Sequence, residues 1–466
     1  MNLFDGLLIF FTIIFLYSII VFFLHRKGYF EKFNISFFGP ALMLRTTRGR
    51  GFLQKLAEKK RFWKAFGSSG VVICFIFMIA MVFLLIWQVW TVAGFTPEQV
   101  EQLPGIEFMV IIPGINPILP LEYIWYILFA LIIAIIVHEF SHGILTLVGK
   151  LKVKSLGILY MIVPLGAFCE PDEEELKKTK LSKRMRIYAA GPTSNLFVVL
   201  ITILIFSFIL MSSVQLSAEG AVVFSVDKNS PAEEIGLTAG STIISFNNSE
   251  VTTYSDYVIL INNTRSNQTV EITYLQEERS INKQVELKDR YIEWGKRPDV
   301  YLYNNESLRG KGYLGVPSFL RDDIKDEHLA ILKNPFRNFP DGFLFFFVLP
   351  LLGYFQGYNP ITHPFNDAYV ITGLLQGIPS NIFWGLVNFI YWIFWLNLAV
   401  ALFNVLPMVP LDGGFLFNDA LRSLIKRIKK GITEEQREKL VKNVTLVISL
   451  VILILIMFPW LVKYFY

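Results

Sequence analysis

The sequence predicts an α-helical integral membrane bundle of about six transmembrane helices, with a β-rich extracytoplasmic domain inserted between them. Three observations predict it. Apolar residues gather in uncharged blocks of bilayer length, and basic residues gather in three of the segments between those blocks. One long segment, 213–341, instead has the mixed charge and short alternating runs of a water-exposed β domain. Bulk composition agrees: the 466 residues are 53% apolar and only 17% charged, with a mean hydropathy of +0.49. Soluble domains carry about 25% charged residues. Two cysteines and 31 glycines exclude disulfide-framework and collagen-like chains.

Residues 1–120 hold the first two spans. Gly6–Leu24 and Gly70–Val92 carry no charge, and each reaches the ~20 residues needed to cross a bilayer. The first block has no basic residue before it and no small-residue cleavage site after it, so it reads as a retained span and not a signal peptide. Residues 121–212 add Tyr123–Val148 and Ala189–Met211, residues 342–421 add about Phe383–Leu406, and residues 422–466 add Val444–Val462. Phe343–Tyr354 is apolar but short, which suits a re-entrant or interfacial segment. Paired with the weak stretch Tyr369–Gly377, it could also form an extra hairpin without changing the parity.

Charge sets the orientation. Segment 25–69 contains 11 Lys/Arg against two acids, 150–188 contains nine, and 421–442 contains eight, whereas 93–121 contains none. Short loops rich in Lys and Arg stay in the cytoplasm. Both termini and segment 213–341 therefore lie outside, in a multi-pass protein for which a prokaryotic cell membrane is the simplest setting. The basic run Lys426–Lys430 reads as an amphipathic contact with anionic inner-leaflet lipid. No nucleic-acid partner is implied by a net charge of +5 distributed in this way.

Residues 213–341 carry 14 basic and 19 acidic side chains, with strand-like runs at Ala221–Val226, Thr242–Phe246 and Thr269–Tyr274. Four Asn-x-Ser/Thr sequons, at Asn247, Asn262, Asn267 and Asn305, fit an external face but are common by chance. In Ser230–Val251 a short helix ends at Gly236, a tight turn follows at Ala239-Gly240, and a strand runs into an Asn-Asn turn. This stretch resembles the PDZ domains attached to membrane and periplasmic proteases, which take an extended peptide as an added strand. Residues 290–311 read as an insertion before a last strand near Gly312–Val316.

The third span contains His138-Glu139-Phe140-Ser141-His142. Residues i and i+4 share a helix face, so both imidazoles can bind one metal ion. Glu139 lies about 100° round the helix, placed to act on a metal-bound water as general base. Two of only five histidines flank this glutamate in an otherwise apolar block, and ionisable groups in hydrocarbon are costly and functional by default. A catalytic zinc commonly takes three protein ligands. Asp412, in Asn404-Val-Leu-Pro-Met-Val-Pro-Leu-Asp412-Gly-Gly, is the third candidate. Pro407 and Pro410 break the helix before it, and Gly413 and Gly414 permit close backbone approach. His142 is eight residues from Lys150 and Asp412 ten from Arg422, so both lie at similar depth near the inner face.

HEFSH in one span, NVLPMVPLDGG in a later one, the PDZ-like segment between them, and Gly191-Pro-Thr-Ser-Asn195 opening the fourth span together resemble the site-two protease family of intramembrane zinc metalloproteases. The resemblance covers about Tyr123–Leu421. It implies Zn2+ held by His138, His142 and Asp412, with Glu139 as catalytic base. It further implies that Asn195 and Asn404 help hold substrate. The partners it implies are single-span membrane proteins, often cut first by another protease and then cleaved within their own span. Because a substrate helix must unwind, an edge strand from Gly157–Phe168 is a candidate for holding it extended. Two other classes compete: a non-catalytic membrane scaffold presenting the PDZ-like domain, and a metal transporter. The first predicts loss of one of the four site residues, and the second predicts further ionisable groups along a path. The sequence shows neither.

Overall fold

The computed structural model describes residues 3–465 apart from 33–34, 39–40, 47–48, 110–113, 115, 120, 162, 277–278, 296–305, 321–328, 357–360, 362–364 and 430. The chain divides into two compact units, Met1–Thr202 with Trp392–Tyr466, and Ile203–Tyr391.

Five helical stretches are long and apolar enough to cross a membrane: Lys60–Ala93, Leu121–Val148, Leu181–Ser213, Ser380–Asn404 and Glu434–Phe465. Each contains one of the expected blocks. Helices run past the apolar limits because solvated polar residues continue the same backbone hydrogen bonding, as the basic residues 60–64 do before the second block. The first expected block is the helix Leu3–Arg26, whose apolar stretch is described from Thr12 to Arg26. Among the described residues, five helices are thus long and apolar enough to span, and the first expected block is a helix described over a shorter apolar stretch.

In the first unit the spans meet a four-stranded antiparallel sheet of β1 (Ile35–Phe38), β2 (Ala41–Thr46), β3 (Val153–Met161) and β4 (Val163–Pro171), in that order. Segment Gly157–Phe168 is therefore the end of a hairpin, with β2 covering one side of β3 and β4 left as the edge strand. Helix Arg50–Ala57 follows β2 and buries Leu53 completely in a cluster with Ile144, Leu145, Cys169 and Ile187. Segment 172–175, an acidic run in the sequence, is partly structural. Asp172 caps the helix Glu173–Lys178 by accepting from the amides of Glu174 and Glu175.

Lys60–Ala93 lies against the Leu181–Leu204 helix. A Cβ on Gly70 would come within 2.5 Å of Thr193 Oγ1, and Cys74 is buried beside Ala189 and Thr193. The second span, which carries no recognisable motif, thus backs the helix that begins at Leu181. Cys74, Met78, Ala189, Val405 and Leu416 then form one buried cluster. It ties this pair of helices to the proline turn and to the helix Asp412–Ile428.

The second unit contains an antiparallel sheet built from β6 (Ala221–Ser225), β7 (Thr242–Phe246), β8 (Ser249–Glu250), β9 (Thr269–Gln276), β10 (Arg279–Glu286) and β13 (Ser318–Leu320). Preceding it is β5 (Val214–Leu216), while β11 (Lys288–Asp289) pairs with β12 (Gly312–Tyr313). The main path runs β10-β9-β7-β6-β13, with β8 on β7. Its core buries Val223, Leu237, Ile243, Phe246, Tyr257, Ile272 and Tyr274, packed by the short helices Pro231–Glu234 and Tyr254–Asn262. The expected strands are present, and the return near Gly312–Val316 is made by β12 followed by β13. Of the expected insertion, Arg290–Gly295 is helical; Arg290 is buried and donates to the carbonyls of Gly312 and Ile261. Residues 296–305 lie outside the described set, as does the Asn305 sequon.

Phe343–Tyr354 falls in a 16-residue helix, Asp341–Gln356, which contains Pro350. Tyr369–Gly377 does not supply a second helix to pair with it. Tyr369–Ile371 is a strand, β14, paired with β5, and a 3-10 turn follows at Gly373–Leu375. β-branched Val370 and Ile371 favour the extended strand.

Candidate metal centre

The centre is built from three helices of the first unit. His138 and His142 project from Ile124–Val148, one turn apart, with ring centroids separated by 4.8 Å at 72°. Asp412 is the first residue of Asp412–Ile428, where an acid also suits the positive end of the helix. Its Oδ2 lies 3.0 Å from His138 Nε2 and 3.2 Å from His142 Nε2. All three side chains are at least 85% buried, their exposures being 8%, 12% and 15%.

Four ligands at ~2.1 Å in a tetrahedron sit about 3.4 Å apart, so the observed spacings fit one ion within a few tenths of an ångström. Asp412 Oδ2 is buried and accepts no hydrogen bond, and His138 Nδ1 is buried without a partner. A carboxylate oxygen left in that state is costly unless a cation satisfies it. The ligand atoms of His138, His142 and Asp412 lie within 4.8 Å of one another, the one such group among the described residues. His142 Nδ1 is 2.7 Å from the carbonyl of Ile187. A carbonyl only accepts, so Nδ1 carries the proton and the Nε2 lone pair is left for a metal.

Two glycines make the approach possible. A Cβ on Gly191 would fall 2.5 Å from His138 Nε2 and 2.5 Å from His142 Nε2. A Cβ on Gly413 would fall 2.2 Å from the Val405 carbonyl oxygen, so the turn carrying Asp412 lies directly against the backbone after Asn404.

Glu139 is half-buried, and its Oε2 accepts from the Cys169 amide on β4 at 3.0 Å. Cys169 itself is buried, with its Sγ near Gly143, and does not join the metal group. Asn195 lies one turn beyond Gly191 with zero exposure and neither amide atom partnered. Asn404 is half-buried at the end of Ser380–Asn404, where its Nδ2 donates to the Val400 carbonyl at 3.0 Å.

Three contributors were not identified from sequence: the Ile187 carbonyl, the Cys169 amide, and a buried ion pair. In that pair Arg184 donates Nε and Nη2 to Asp419 at 2.6 and 2.5 Å. It joins the start of the Leu181–Leu204 helix to the Asp412 helix two turns after the ligand. Only the last left a trace in the sequence, an acid seven residues after Asp412 on an amphipathic helix.

Fold and site together define a helical protein with, among the described residues, five candidate membrane spans, a small β-rich region and a buried His-His-Asp group that could hold a metal ion. The chain belongs to peptidase family M50, whose model matches residues 126–452. An uncharacterized protein of Methanocaldococcus jannaschii is 26% identical over 434 residues, covering 91% of each chain. A protein of Clostridium acetobutylicum described as a candidate zinc metalloprotease is 25% identical over 61% of this chain and 82% of its own. Among solved structures, the PDZ domain of an SdrC-like protein from Listeria monocytogenes matches 16% of this chain and 77% of its own length. That match is 22% identical with a TM-score of 0.15.

Proposed function

We propose that this chain is an intramembrane zinc endopeptidase that cleaves membrane-anchored substrates within their spans. The observation that carries the reading is the convergence of His138, His142 and Asp412 at 3.0 and 3.2 Å, with Glu139 next to the first ligand. Family membership and the five candidate spans support it.

The three residues would hold the ion, and zinc supplies Lewis acidity and brings the pKa of water toward ~7. Glu139 serves as general base and then returns the proton to the leaving amide nitrogen. The Cys169 amide holds Oε2, which leaves Oε1 for proton transfer. The buried, unpartnered Asn195 amide is available to bind a substrate main-chain group, a role we extend to Asn404. The free edge of β4 offers main-chain groups to an unwound substrate. The PDZ-like region, placed outside with both termini, screens substrates by size or exposed ends.

Zinc content and cleavage of a model single-span substrate test this. Glu139→Gln should retain one zinc per chain while cleavage falls by about 100-fold or more. A Glu139→Gln protein that cleaves at the wild-type rate removes the mechanism.

A further inference from the structure

A cavity of about 150 Å³ opens where three helices of the first unit end together, lined by Lys64, Lys180, Lys183 and Arg186 over an apolar floor of Leu145 and Val148. Lys64 comes from the first turns of Lys60–Ala93, and Leu145 and Val148 from the last turn of Ile124–Val148. Lys183 and Arg186 come from the first turns of Leu181–Leu204. Packing is tight beside it: a Cβ on Gly67 would meet Leu145 Cδ1 at 2.8 Å and Arg186 Cβ at 3.1 Å.

Four cations share this space, and among the described residues no carboxylate pairs with any of them. The nearby acids are engaged elsewhere, Glu175 with Lys152, Glu174 with Lys178, and Asp172 with Lys154. Lys183 Nζ donates to the Gly149 carbonyl at 2.9 Å, and among the described residues no partner holds the ammonium of Lys64 or Lys180. Four cations grouped around one hollow raise the local positive potential and so favour an anion there. The volume admits about five waters at ~30 Å³ each, enough for a phosphate group with room to spare. Basic residues around an apolar floor, at the ends of spans, suit a phosphate attached to something apolar.

We propose that this cavity binds a phosphate group, either the headgroup of an anionic lipid or soluble phosphate. The bound anion neutralises the cations that otherwise repel one another, and so holds the ends of the three helices together. Arg186 precedes Ile187, whose carbonyl fixes the His142 ring, so occupancy bears on the metal centre through one residue of backbone. The inference stands whether or not the chain cleaves peptides.

The test uses the full-length protein in phosphatidylcholine nanodiscs containing phosphatidylglycerol, with retained phosphatidylglycerol counted by native mass spectrometry. The variant is Lys64→Gln with Lys180→Gln, both on exposed side chains whose loss leaves the packing intact. Retention should weaken about five-fold per lysine, about 25-fold for the pair, while Lys439→Gln with Lys442→Gln, exposed on the last helix, should leave it unchanged. In a second arm, inorganic phosphate is titrated onto protein in pure phosphatidylcholine discs while the melting temperature is followed. A phosphate-dependent rise in wild type that the Lys64/Lys180 variant lacks identifies the soluble source. Retention without such a rise identifies the lipid. Equal retention in all three proteins with no phosphate effect, or equal loss in both double variants, overturns the proposal.

Discussion

Replacing Gly191 by alanine tests the geometry of the centre more sharply than removing a ligand, because every ligand stays present. The added methyl would lie 2.5 Å from His138 Cε1 and from both Nε2 atoms. Ordinary carbon contact needs about 3.4 Å or more, so roughly 0.9 Å must be absorbed. The histidine helix has little slack: Ala134 and Ile144 are buried and His142 is tied to Ile187. Metal sites tolerate only about 0.2 Å at each ligand. A displacement near 1 Å in a catalytic constellation costs about 100-fold, whereas overpacking costs the fold about 1–3 kcal/mol. Gly191→Ala should therefore fold, with a helical circular-dichroism spectrum like wild type, yet lose zinc on dialysis and cleave about 100-fold more slowly. The measurements are zinc per chain after exhaustive dialysis and the single-turnover rate on a model substrate. A Gly191→Ala protein with full zinc and full activity would refute the close approach.

The Cys169 amide can be tested apart from the thiol by comparing two variants that both lack the thiol but differ in the backbone N–H. Cys169→Pro removes the N–H that holds Glu139 and should lower cleavage about 10-fold or more with zinc retained, whereas Cys169→Ser keeps the amide and should stay near wild type. Breaking the buried Arg184–Asp419 pair by Asp419→Asn leaves an uncompensated guanidinium and should destabilise the chain by about 3–5 kcal/mol. The paired change Arg184→Met with Asp419→Leu should recover much of that loss in a denaturation assay. In the β-rich region, hydrogen bonds from Thr252 and Thr253 hold the Asp256 carboxyl down to about 2, where it completes the capping box that Thr253 begins for Tyr254–Asn262. A depressed carboxyl adds stability that is complete above its ordinary pKa near 4 and is lost as pH falls toward 2. Protection from hydrogen exchange in that helix, taken relative to the intrinsic rate at each pH, should fall over this window in wild type, and Asp256→Ala should be weakly protected without that dependence.

Much of the centre was legible because its chemistry is local. The i, i+4 histidines share a face by helix geometry alone, and the glutamate between them follows from the same geometry. Asp412 was legible by another route, because span count and basic loops fixed its depth near that of His142. An edge strand was expected within Gly157–Phe168, but that β4 and not β3 forms it was not legible, since nothing there encodes that β2, more than a hundred residues earlier, covers the opposite side of the hairpin. The first extra hairpin considered, Phe343–Tyr354 with Tyr369–Gly377, failed for a similar reason. Tyr369–Ile371 is held as a strand by β5, a partner about 150 residues away.

The sequence by itself determined the apolar helices, the β-rich insert, and the identity of four residues at the centre, because these depend on periodicity, hydropathy and spacing along the chain. Only the tertiary structure decided which backbone groups serve that centre: the Ile187 carbonyl on His142, the Cys169 amide on Glu139, and the space left by Gly191. The reason is physical. Every residue but proline carries the same amide N–H and carbonyl, so which of them faces a given side chain is set by packing between distant elements.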